Sequence, residues 1–319
     1  MKLKFFILVM LSIQSIASEF TDALEKANLI NINSLMIFTS DDMLSSGRYK
    51  FGDDDYINDD IHIINFPYRH HFKPYNEYLN FFVNGSVGYS HKDHSVNINK
   101  IFGITDPADQ VPNDHVDYHT YAIKLGGGIR VTPGWDLEML FGGAFIYTHI
   151  KSEYNYNSPE SEAILKPIFD KTFANKSSDN FSYELSMQYG YFPDFEGWKP
   201  YILAAFNYYD TKSDFSLDSF SNYTTESSVS KLKTGLRTPA LFDAYHIPTS
   251  LGGFIEGDAL HGDMKNILGF DHYGAVGASL HFGTRYYTDL IEELSVEYSQ
   301  VEGDGISGYT VGMGFDVAF

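Results

Sequence analysis

Apolar and polar residues alternate along many segments of the chain, and the alternation is clearest at the C-terminus. The apolar positions there are Tyr309, Val311, Met313, Phe315, Val317 and Phe319. Small or polar residues lie between them, and one of these is Asp316. Because a strand places every second side chain on the same face, this segment has one apolar face and one wet face. The pattern predicts a strand whose apolar face contacts lipid while Asp316 faces a hydrated lumen.

Similar alternating segments recur along the chain, and several of them carry aromatic residues near their ends. The predicted strands begin near Asn31, Asp60, Tyr78, Val116, Trp135, Asn180, Tyr201, Thr224, His246, Leu268, Leu290 and Ile306. Such strands are typical of a closed, antiparallel, up-and-down transmembrane β-barrel, here of about twelve strands. A soluble β-protein also alternates, but its strands are not usually so long or so regularly aromatic at their ends.

The lengths of the connections predict which end of the barrel faces outward. Short connections, Thr132–Gly134, Pro193–Gly197 and Thr284–Asp289, alternate with the long ones Lys92–His115, Ser152–Asp179 and Ser213–Tyr223. Bacterial barrels have short periplasmic turns and longer external loops. We therefore expect the C-terminus to be periplasmic and the long connections to be external.

The N-terminus carries the pattern of a secretory signal peptide. A positive region at Lys2 and Lys4 precedes a short apolar run and then small residues. The apolar run is too short to cross a bilayer as a helix. We expect residues 1–18 to be removed, residues 19–30 to form a short helix, and residues 19–319 to form a single barrel domain.

Composition and charge narrow the classes of partner. With 42 acidic and 22 basic residues the net charge is −20, which argues against nucleic acid, whose phosphates require Lys and Arg. The absence of Cys excludes disulfides, thiol catalysis and thiolate zinc sites. We expect no cofactor. The expected partners are outer-membrane lipid, lipopolysaccharide and, through the C-terminal strand, the barrel-assembly machinery.

Charged side chains on the predicted inner face are the first candidate site. They are Lys124, Arg130, Asp136, Glu138, Glu184, Glu256, Asp258, Glu293, Glu297 and Asp316. One interpretation is a hydrated lumen in which acids and bases pair across strands. The other is a selectivity lining whose surplus of acid favours cations. Since a twelve-stranded barrel is narrow, the same side chains can also fill and close the bore.

Histidines near the external ends of three neighbouring strands are the second candidate. They are His91, His94, His115, His119 and His149, and Asp93, Asp114 and Asp117 lie among them. Imidazole and carboxylate groups are ligands of borderline divalent metals, so this sector of the rim is a candidate metal site. The alternative is a set of exposed loop histidines that share no site.

Acidic clusters are the third candidate. They are Asp41–Asp42, Asp53–Asp55 and Asp59–Asp60, which we expect to lie in one external connection. Loose binding of divalent cations is one interpretation. Solvated negative charge is the other, because the sequence shows no fixed cage of oxygen ligands.

Enzymatic activity is the rival class of function. A barrel lipase needs a His and a Ser two residues apart, on one face of a strand. His94 and Ser95 are adjacent, so a strand would place them on opposite faces. No spacing of the rim Asp and His residues singles out a catalytic set. We therefore expect no enzyme, with an outer-membrane hydrolase as the weaker alternative.

Four segments resemble the translocator barrels of autotransporters, and most of all the solitary autotransporter-like barrels that lack a passenger. They are Asn65–Arg69, Phe82–Tyr89, Lys231–Pro239 and Gly314–Phe319. The resemblance covers most of the chain after the signal peptide, and it implies a twelve-stranded barrel in the outer membrane of a Gram-negative bacterium. No passenger precedes the predicted barrel, so we do not expect it to secrete a cargo of its own.

The expected role is structural or porin-like, as a pore or transport barrel with acidic external loops. The alternative is an adhesin- or receptor-like barrel that binds a ligand through the loop Ser152–Asp179. The apolar residues of this loop are Tyr154, Tyr156, Ile164, Leu165, Ile168 and Phe169. We expect them either to fold into the bore or to contact a partner.

Overall fold

The computed structural model describes residues 43–51, 59–97, 99, 106, 110–159, 161–163, 166–167, 177–214, 224–284 and 291–317. The strands are β1 Leu44–Phe51, β2 Asp59–His71, β3 Leu79–Val96, β4 Asp114–Gly134, β5 Leu137–Asn155, β6 Ser177–Tyr191, β7 Lys199–Asp214, β8 Thr224–Arg237, β9 Phe242–Ala244, β10 Ile247–Gly262, β11 His272–Gly283, β12 Ile291–Gly303 and β13 Ile306–Val317. The helix α1 Asp263–Leu268 connects β10 to β11.

Twelve of these strands close into an antiparallel barrel, and β9 is a short extension that pairs only with the first residues of β10. Closure occurs where β1 pairs with β13, from Leu44 opposite Met313 to Phe51 opposite Ile306. Each remaining barrel strand pairs with its neighbours in chain order, and β8 pairs with β10. The predicted twelve-stranded, up-and-down barrel is confirmed.

Among the described residues, the first strand of the barrel begins at Leu44. The strand predicted near Asn31 lies outside the described residues, as do residues 1–18 and 19–30. Residues 44–51, expected to belong to an external connection, instead form β1. The expectation was wrong because β1 reverses the usual pattern: Tyr49 and Phe51 are buried inside the barrel, and Arg48 and Lys50 face outward.

Two other boundaries differ from the prediction. Leu268 does not begin a strand; it lies in α1, and β11 begins at His272. The turn between β4 and β5 lies at Trp135 and Asp136, which have left-handed φ values of 59° and 60°. It therefore follows the predicted turn Thr132–Gly134 directly, and β4 continues to Gly134.

The outer face of the barrel is apolar across a broad belt. Leu125 is 68% exposed and Phe145 is 72% exposed, which is tolerable only where lipid covers them. Tyr121 and Val131, both on this face of β4, are ten residues apart, which spans about 25 Å in a strand tilted by roughly 40°. That height matches the apolar band of an outer-membrane barrel.

Aromatic side chains border the belt at both ends. The row toward the external end includes Tyr89, Tyr121, Tyr147 and Phe181, and the exposed aromatics of the short turns include Trp135, Phe195, Trp198 and Tyr245. The connections at one end of the barrel are short, and those at the other end are longer except for the two-residue turn between β12 and β13, so the first end is called periplasmic and the second external.

The last strand has the faces that the sequence predicted. Tyr309, Val311, Met313 and Phe315 are exposed on the outer surface of β13. The side chains of Asp316 and Val317, and the whole of Phe319, lie outside the described residues. Among the residues that the structure describes, no helix has the length and apolarity needed to cross a bilayer.

Candidate functional site

The helix α1 lies inside the external mouth of the barrel. Its apolar side chains Met264, Ile267 and Leu268 are 0%, 8% and 7% exposed. Left-handed glycines allow the chain to turn in and out: Gly262 has φ 71° before the helix, and Gly269 has φ 84° after it. The helix is thereby folded back toward the barrel axis instead of extending into solvent.

Two hydrogen bonds fix α1 to the inner wall at β8. The backbone N–H of Met264 donates to Ser227 Oγ at 3.0 Å, and the N–H of Glu226 donates to Asp263 Oδ2 at 3.0 Å. The first N–H groups of a helix have no partner within the helix, so Ser227 satisfies a donor that would otherwise be buried without an acceptor.

Apolar side chains from many strands surround α1 in the external half of the lumen. This cluster, called the plug below, comprises α1 with Tyr49, Phe51, Ile61, Ile63, Val116, Tyr118, Ile146, Ile150, Tyr154, Tyr209, Val229, Leu260, Phe270, Tyr273, Val301 and Ile306. Phe270 stacks on Phe51 with ring centres 5.9 Å apart. The lumen of this half is therefore packed like a protein core.

A polar chamber of about 270 Å³ lies in the middle of the barrel, on the periplasmic side of the plug. Its lining includes hydroxyl and amide groups, aromatic rings and charged side chains: Ser45, Asn65, Asn84, Thr310, Phe82, Phe254, Arg69, Lys124, Glu184, Lys231, Lys233, Glu256 and Glu297. The guanidinium carbon of Arg69 lies 5.5 Å from the centre of the Phe82 ring.

Acids and bases pair across the walls of this chamber. Lys124 Nζ on β4 lies 2.7 Å from Glu184 Oε2 on β6, although β5 separates these two strands. Lys231 Nζ lies 2.9 Å from Glu256 Oε1 and 3.6 Å from Asp258 Oδ1. Because burial makes an unpaired charge costly, these contacts stabilise each charge within the lumen.

A second lysine of β8 is held by both an aromatic ring and carboxylates. Lys233 Nζ lies 3.6 Å from the centre of the Phe254 ring and 3.2 Å from Glu297 Oε1. It also lies 3.9 Å from the second oxygen of Glu256. The ring face and the carboxylates both attract the ammonium, so Lys233 links β8, β10 and β12 across the lumen.

Further ion pairs lie nearer the periplasmic end. Arg237 donates to both oxygens of Glu293, at 2.8 and 2.6 Å, and His281 Nδ1 donates to the same carboxylate at 2.9 Å. Arg130 Nε donates to Glu138 Oε2 at 2.6 Å. The side chains of Arg130 and Arg237 are 35% and 25% exposed, which is similar to the 30% of Lys231 in the chamber, so these pairs are also partly buried.

Most of the predicted inward charges do face the lumen. Those placed on the inner wall are Lys124, Arg130, Glu138, Glu184, Glu256, Asp258, Glu293 and Glu297. Asp136 does not: it lies exposed in the turn before β5, because the strand starts two residues later than expected. Since the lumen charges are paired, they act as wall-to-wall links more than as an open ring of acid.

The basic partners of these acids were missed by sequence reasoning. Lys231, Lys233 and Arg237 on β8, and Arg69 on β2, complete the chamber and its periplasmic end. A signal was present, because Lys231 and Lys233 flank Leu232, whose side chain is 56% exposed on the outer face. The same alternation that identified the acids would have identified these cations.

The five rim histidines form pairs instead of one group. His91 Nε2 donates to Asp117 Oδ1 at 3.0 Å, His115 Nδ1 to Asp93 Oδ1 at 2.8 Å, and His149 Nδ1 to Asp179 Oδ1 at 2.8 Å; His119 stacks on His91, and His94 lies on the inner face. Within the described ranges, no three His, Asp or Glu side chains are grouped so as to hold a metal ion.

The acidic clusters divide between described and undescribed parts of the chain. Asp41–Asp42 and Asp53–Asp55 lie outside the described residues, so the interpretation of loose cation binding there stays a prediction. Asp60 belongs to β2 and not to a loop, and its carboxylate accepts hydrogen bonds from Arg48 Nε at 2.8 and 2.9 Å.

Part of the long loop after β5 is folded onto the barrel mouth. The buried carboxylate of Asp114 accepts hydrogen bonds from Tyr154 OH at 3.1 Å, from Asn157 N at 2.7 Å and from Ser161 Oγ at 3.0 Å. Tyr154 belongs to the plug, and Tyr156 packs against it. The other apolar residues of this loop, Ile164, Leu165, Ile168 and Phe169, lie outside the described residues.

A family model described as the solitary outer membrane autotransporter beta-barrel domain matches residues 31–317. No curated protein sequence matches the chain.

Three solved autotransporter structures share the fold. The translocator domain of NalP from Neisseria meningitidis is 12% identical with a TM-score of 0.52, and covers 96% of this chain and 97% of its own. The transport unit of AIDA-I from Escherichia coli is 10% identical with a TM-score of 0.54, and covers 92% of this chain and 97% of its own. The β-domain of the Bordetella autotransporter BrkA is 10% identical with a TM-score of 0.52, and covers 86% of this chain and 96% of its own.

Proposed function

Since the chain belongs to the family of solitary outer-membrane autotransporter β-barrel domains, we propose that this outer-membrane barrel is a gated pore that rests in a closed state. The observation that carries the proposal is the position of α1. The helix and the apolar side chains around it fill the external half of the lumen, while a polar chamber lies beneath them. A purely structural barrel has no need of a hydrated chamber under a packed lid.

The packing of α1 supports a closed resting state. Burying Met264, Ile267 and Leu268 stabilises the plug by roughly 5 to 9 kcal/mol, at about 1.5 to 3 kcal/mol for each side chain. Since 1.4 kcal/mol corresponds to a factor of ten, spontaneous displacement of α1 is rarer than about one molecule in a thousand. Opening then requires a signal that moves α1, such as a ligand at the external mouth.

The paired charges of the chamber fit a path for polar solutes. Four cations line the chamber, and four anions line it or lie next to it. The cations are Arg69, Lys124, Lys231 and Lys233, and the anions are Glu184, Glu256, Asp258 and Glu297. These balanced charges impose no strong selection by sign. The proposed permeant is therefore a small polar solute that fits a chamber of about 270 Å³.

Planar-bilayer recording of the purified, folded protein tests the proposal. We expect the wild type to be closed for nearly all of the recording, and Ile267→Asp to conduct, because a buried carboxylate expels α1 from the apolar cluster. Asn266→Asp is the matched control, since it adds the same charge at an exposed position of the same helix. It should behave as the wild type.

Two outcomes would reject the gated pore. A wild type that conducts continuously would show that the plug does not close the lumen. If both Ile267→Asp and a variant with residues 263–268 replaced by Gly and Ser stayed silent while folded, the barrel would have a structural role. Folding is checked by the shifted mobility of unheated barrels on denaturing gels.

A receptor-like role through the external loop after β5 is the second candidate. The described part of this loop is anchored where Asp114 holds Asn157 and Ser161, and Asn157, Glu162 and Lys166 are exposed. A loop that recognises a ligand presents its side chains to solvent. We propose no enzymatic role, because the rim Asp and His side chains form pairs along the outer wall and not a catalytic set.

A further inference from the structure

Five basic or imidazole side chains form one row across the outer face of β1 to β5. In the strand register, Arg48 lies opposite His62, His62 opposite His91, His91 opposite His119, and His119 opposite Lys151. All five face outward, since they alternate with buried residues of the plug and lumen. At about 4.8 Å between strands, this basic row spans roughly 20 Å.

The basic row lies just external to the aromatic border of the lipid belt. Tyr89 and Tyr121 pair with each other on neighbouring strands, two residues closer to the membrane than His91 and His119. Arg48 lies opposite Tyr309 on β13. Two residues of a strand advance roughly 7 Å, less when the strand is tilted. Because the strands are tilted by roughly 40°, the row also rises by about 12 Å along the membrane normal, from Arg48 to Lys151, which lies four residues beyond Tyr147 of the aromatic border. The polar layer of a bilayer is about 5 to 7 Å thick on each side, so the row begins at headgroup depth and ends in the sugar layer outside it.

Neighbouring side chains hold the row in an extended, outward arrangement. Arg48 donates to Asp60, His91 donates to Asp117, and Lys151 contacts Glu153, each carboxylate lying one step further from the membrane. Tyr89 OH and His119 Nδ1 are hydrogen-bonded at 2.9 Å, and the rings of His91 and His119 stack 4.9 Å apart. These contacts therefore hold the basic side chains next to one another along the row.

We propose that Arg48, His62, His91, His119 and Lys151 bind the phosphate groups of lipopolysaccharide in the outer leaflet. Arg, Lys and imidazole N–H groups are the donors that recognise phosphate, and bonds to charged oxygens are roughly twice as strong as neutral ones. Asp60, Asp117 and Glu153 lie beside the row on its external side, so its donors are directed toward phosphate from the membrane side. The N–H groups of Arg48 and Lys151 that Asp60 and Glu153 leave open bind phosphate from the membrane side, and the imidazoles of His62 and His119 add further donors.

The test measures binding of deep-rough lipopolysaccharide, which carries lipid A and the inner core only, to the full folded chain in detergent. The rim variant combines His91→Gln, His119→Gln and Lys151→Gln. The control variant combines His261→Gln, His272→Gln and Lys212→Gln, which removes the same three groups from the outer face of the opposite wall. Both variants are checked for barrel folding by gel mobility before binding is measured.

We expect the rim variant to bind at least about tenfold more weakly and the control variant to change by less than about twofold. Arg48→Gln added to the rim variant should weaken binding further. Lipopolysaccharide stripped of its phosphates should bind wild type and rim variant equally, because acyl-chain contacts remain.

Equal affinity of wild type and rim variant for the phosphorylated lipid would overturn the proposal. So would an equal loss in the rim and control variants, which would indicate a general charge effect. Binding is also repeated with a chelator of divalent cations. Loss of binding there would show that the carboxylates hold the lipid through bridging metal ions, and the direct contact proposed here would be wrong.

Discussion

The ammonium of Lys124 and the carboxylate of Glu184 meet inside the barrel at 2.7 Å, across the strand that separates their own two strands. The side chains are 11% and 2% exposed. The contact joins two strands that are not adjacent in the sheet, which backbone hydrogen bonds alone do not do. It also limits how far this part of the wall can bend, so in the proposed opening the chamber would keep its shape when α1 is displaced.

Removal of one member of this pair should destabilise the barrel more than removal of both. Glu184→Gln leaves Lys124 buried without its counter-charge, and we expect a loss of about 3 kcal/mol in the free energy of unfolding. Replacing Lys124 by Met in the same chain should restore more than half of that loss. Urea unfolding in lipid vesicles measures both, and an additive double variant would contradict the pairing.

A glycine of β4 is required by the close approach of the next strand. A Cβ at Gly128 would lie 2.0 Å from the carbonyl oxygen of Phe141, whereas one at Gly257 of β10 would meet nothing within 4 Å. We expect Gly128→Ala to cost about 1 to 3 kcal/mol or to prevent folding. Gly257→Ala should change stability by less than about 0.5 kcal/mol. Equal unfolding midpoints for the two variants would contradict this assignment.

The lipid-facing side of the strands could be predicted from the sequence, because one simple requirement determines its residues. Residues such as Phe145 and Met313 must be apolar wherever lipid covers them, so alternation along each strand survives in the sequence. The same rule located the acids of the lumen. It also applies to the paired cations Lys231 and Lys233, since they flank Leu232, which faces the lipid.

The plug could not be predicted from the sequence, because in this part of the barrel the apolar side chains face the lumen and the polar ones face outward. In β1 the buried side chains are Tyr49 and Phe51, and the charged Arg48 faces outward. Above the lipid belt the outer wall meets water and the lumen is packed, so the apolar face changes sides. The six residues of α1 are too short a segment to show helical periodicity, and their burial follows from tertiary packing.

The carboxylate of Asp271, beside α1, should make the stability of the barrel depend weakly on pH. Lys265 of α1 and the neighbouring His272 lower the pKa of Asp271 to about 2. Since this value lies below the roughly 3.9 of an unfolded chain, the stabilisation is complete above about pH 4 and is lost between about pH 4 and pH 2. Because Asp271 is exposed, Asp271→Asn should lower the melting temperature at pH 7 by less than about 2 °C.

Melting curves of wild type and Asp271→Asn over a range of pH test this expectation. The two curves should differ at pH 5 to 7 and converge as the pH approaches 2. Asp304→Asn is a suitable control, because it changes an acid in the neighbouring external turn between β12 and β13. A difference that grew below pH 4 would show that Asp271 acts other than through its ion pair.

The hydrogen bond from the Met264 N–H to Ser227 Oγ should set how often the plug opens. Ser227→Ala leaves that N–H buried without an acceptor, at a cost of roughly 1 to 3 kcal/mol. The cost falls on the closed state, since water can solvate the N–H when α1 moves out. Brief openings in planar-bilayer recordings should therefore become at least about fivefold more frequent.

Ser228→Ala is the matched control, because Ser228 is the next residue on β8 and its side chain points away from the plug. It removes the same hydroxyl and should leave the opening frequency unchanged. If the two variants opened equally often, or if Ser227→Ala opened no more than the wild type, α1 would not be the gate. If only Ser227→Ala opened more often, the bond between α1 and β8 would be part of the closed state of the pore.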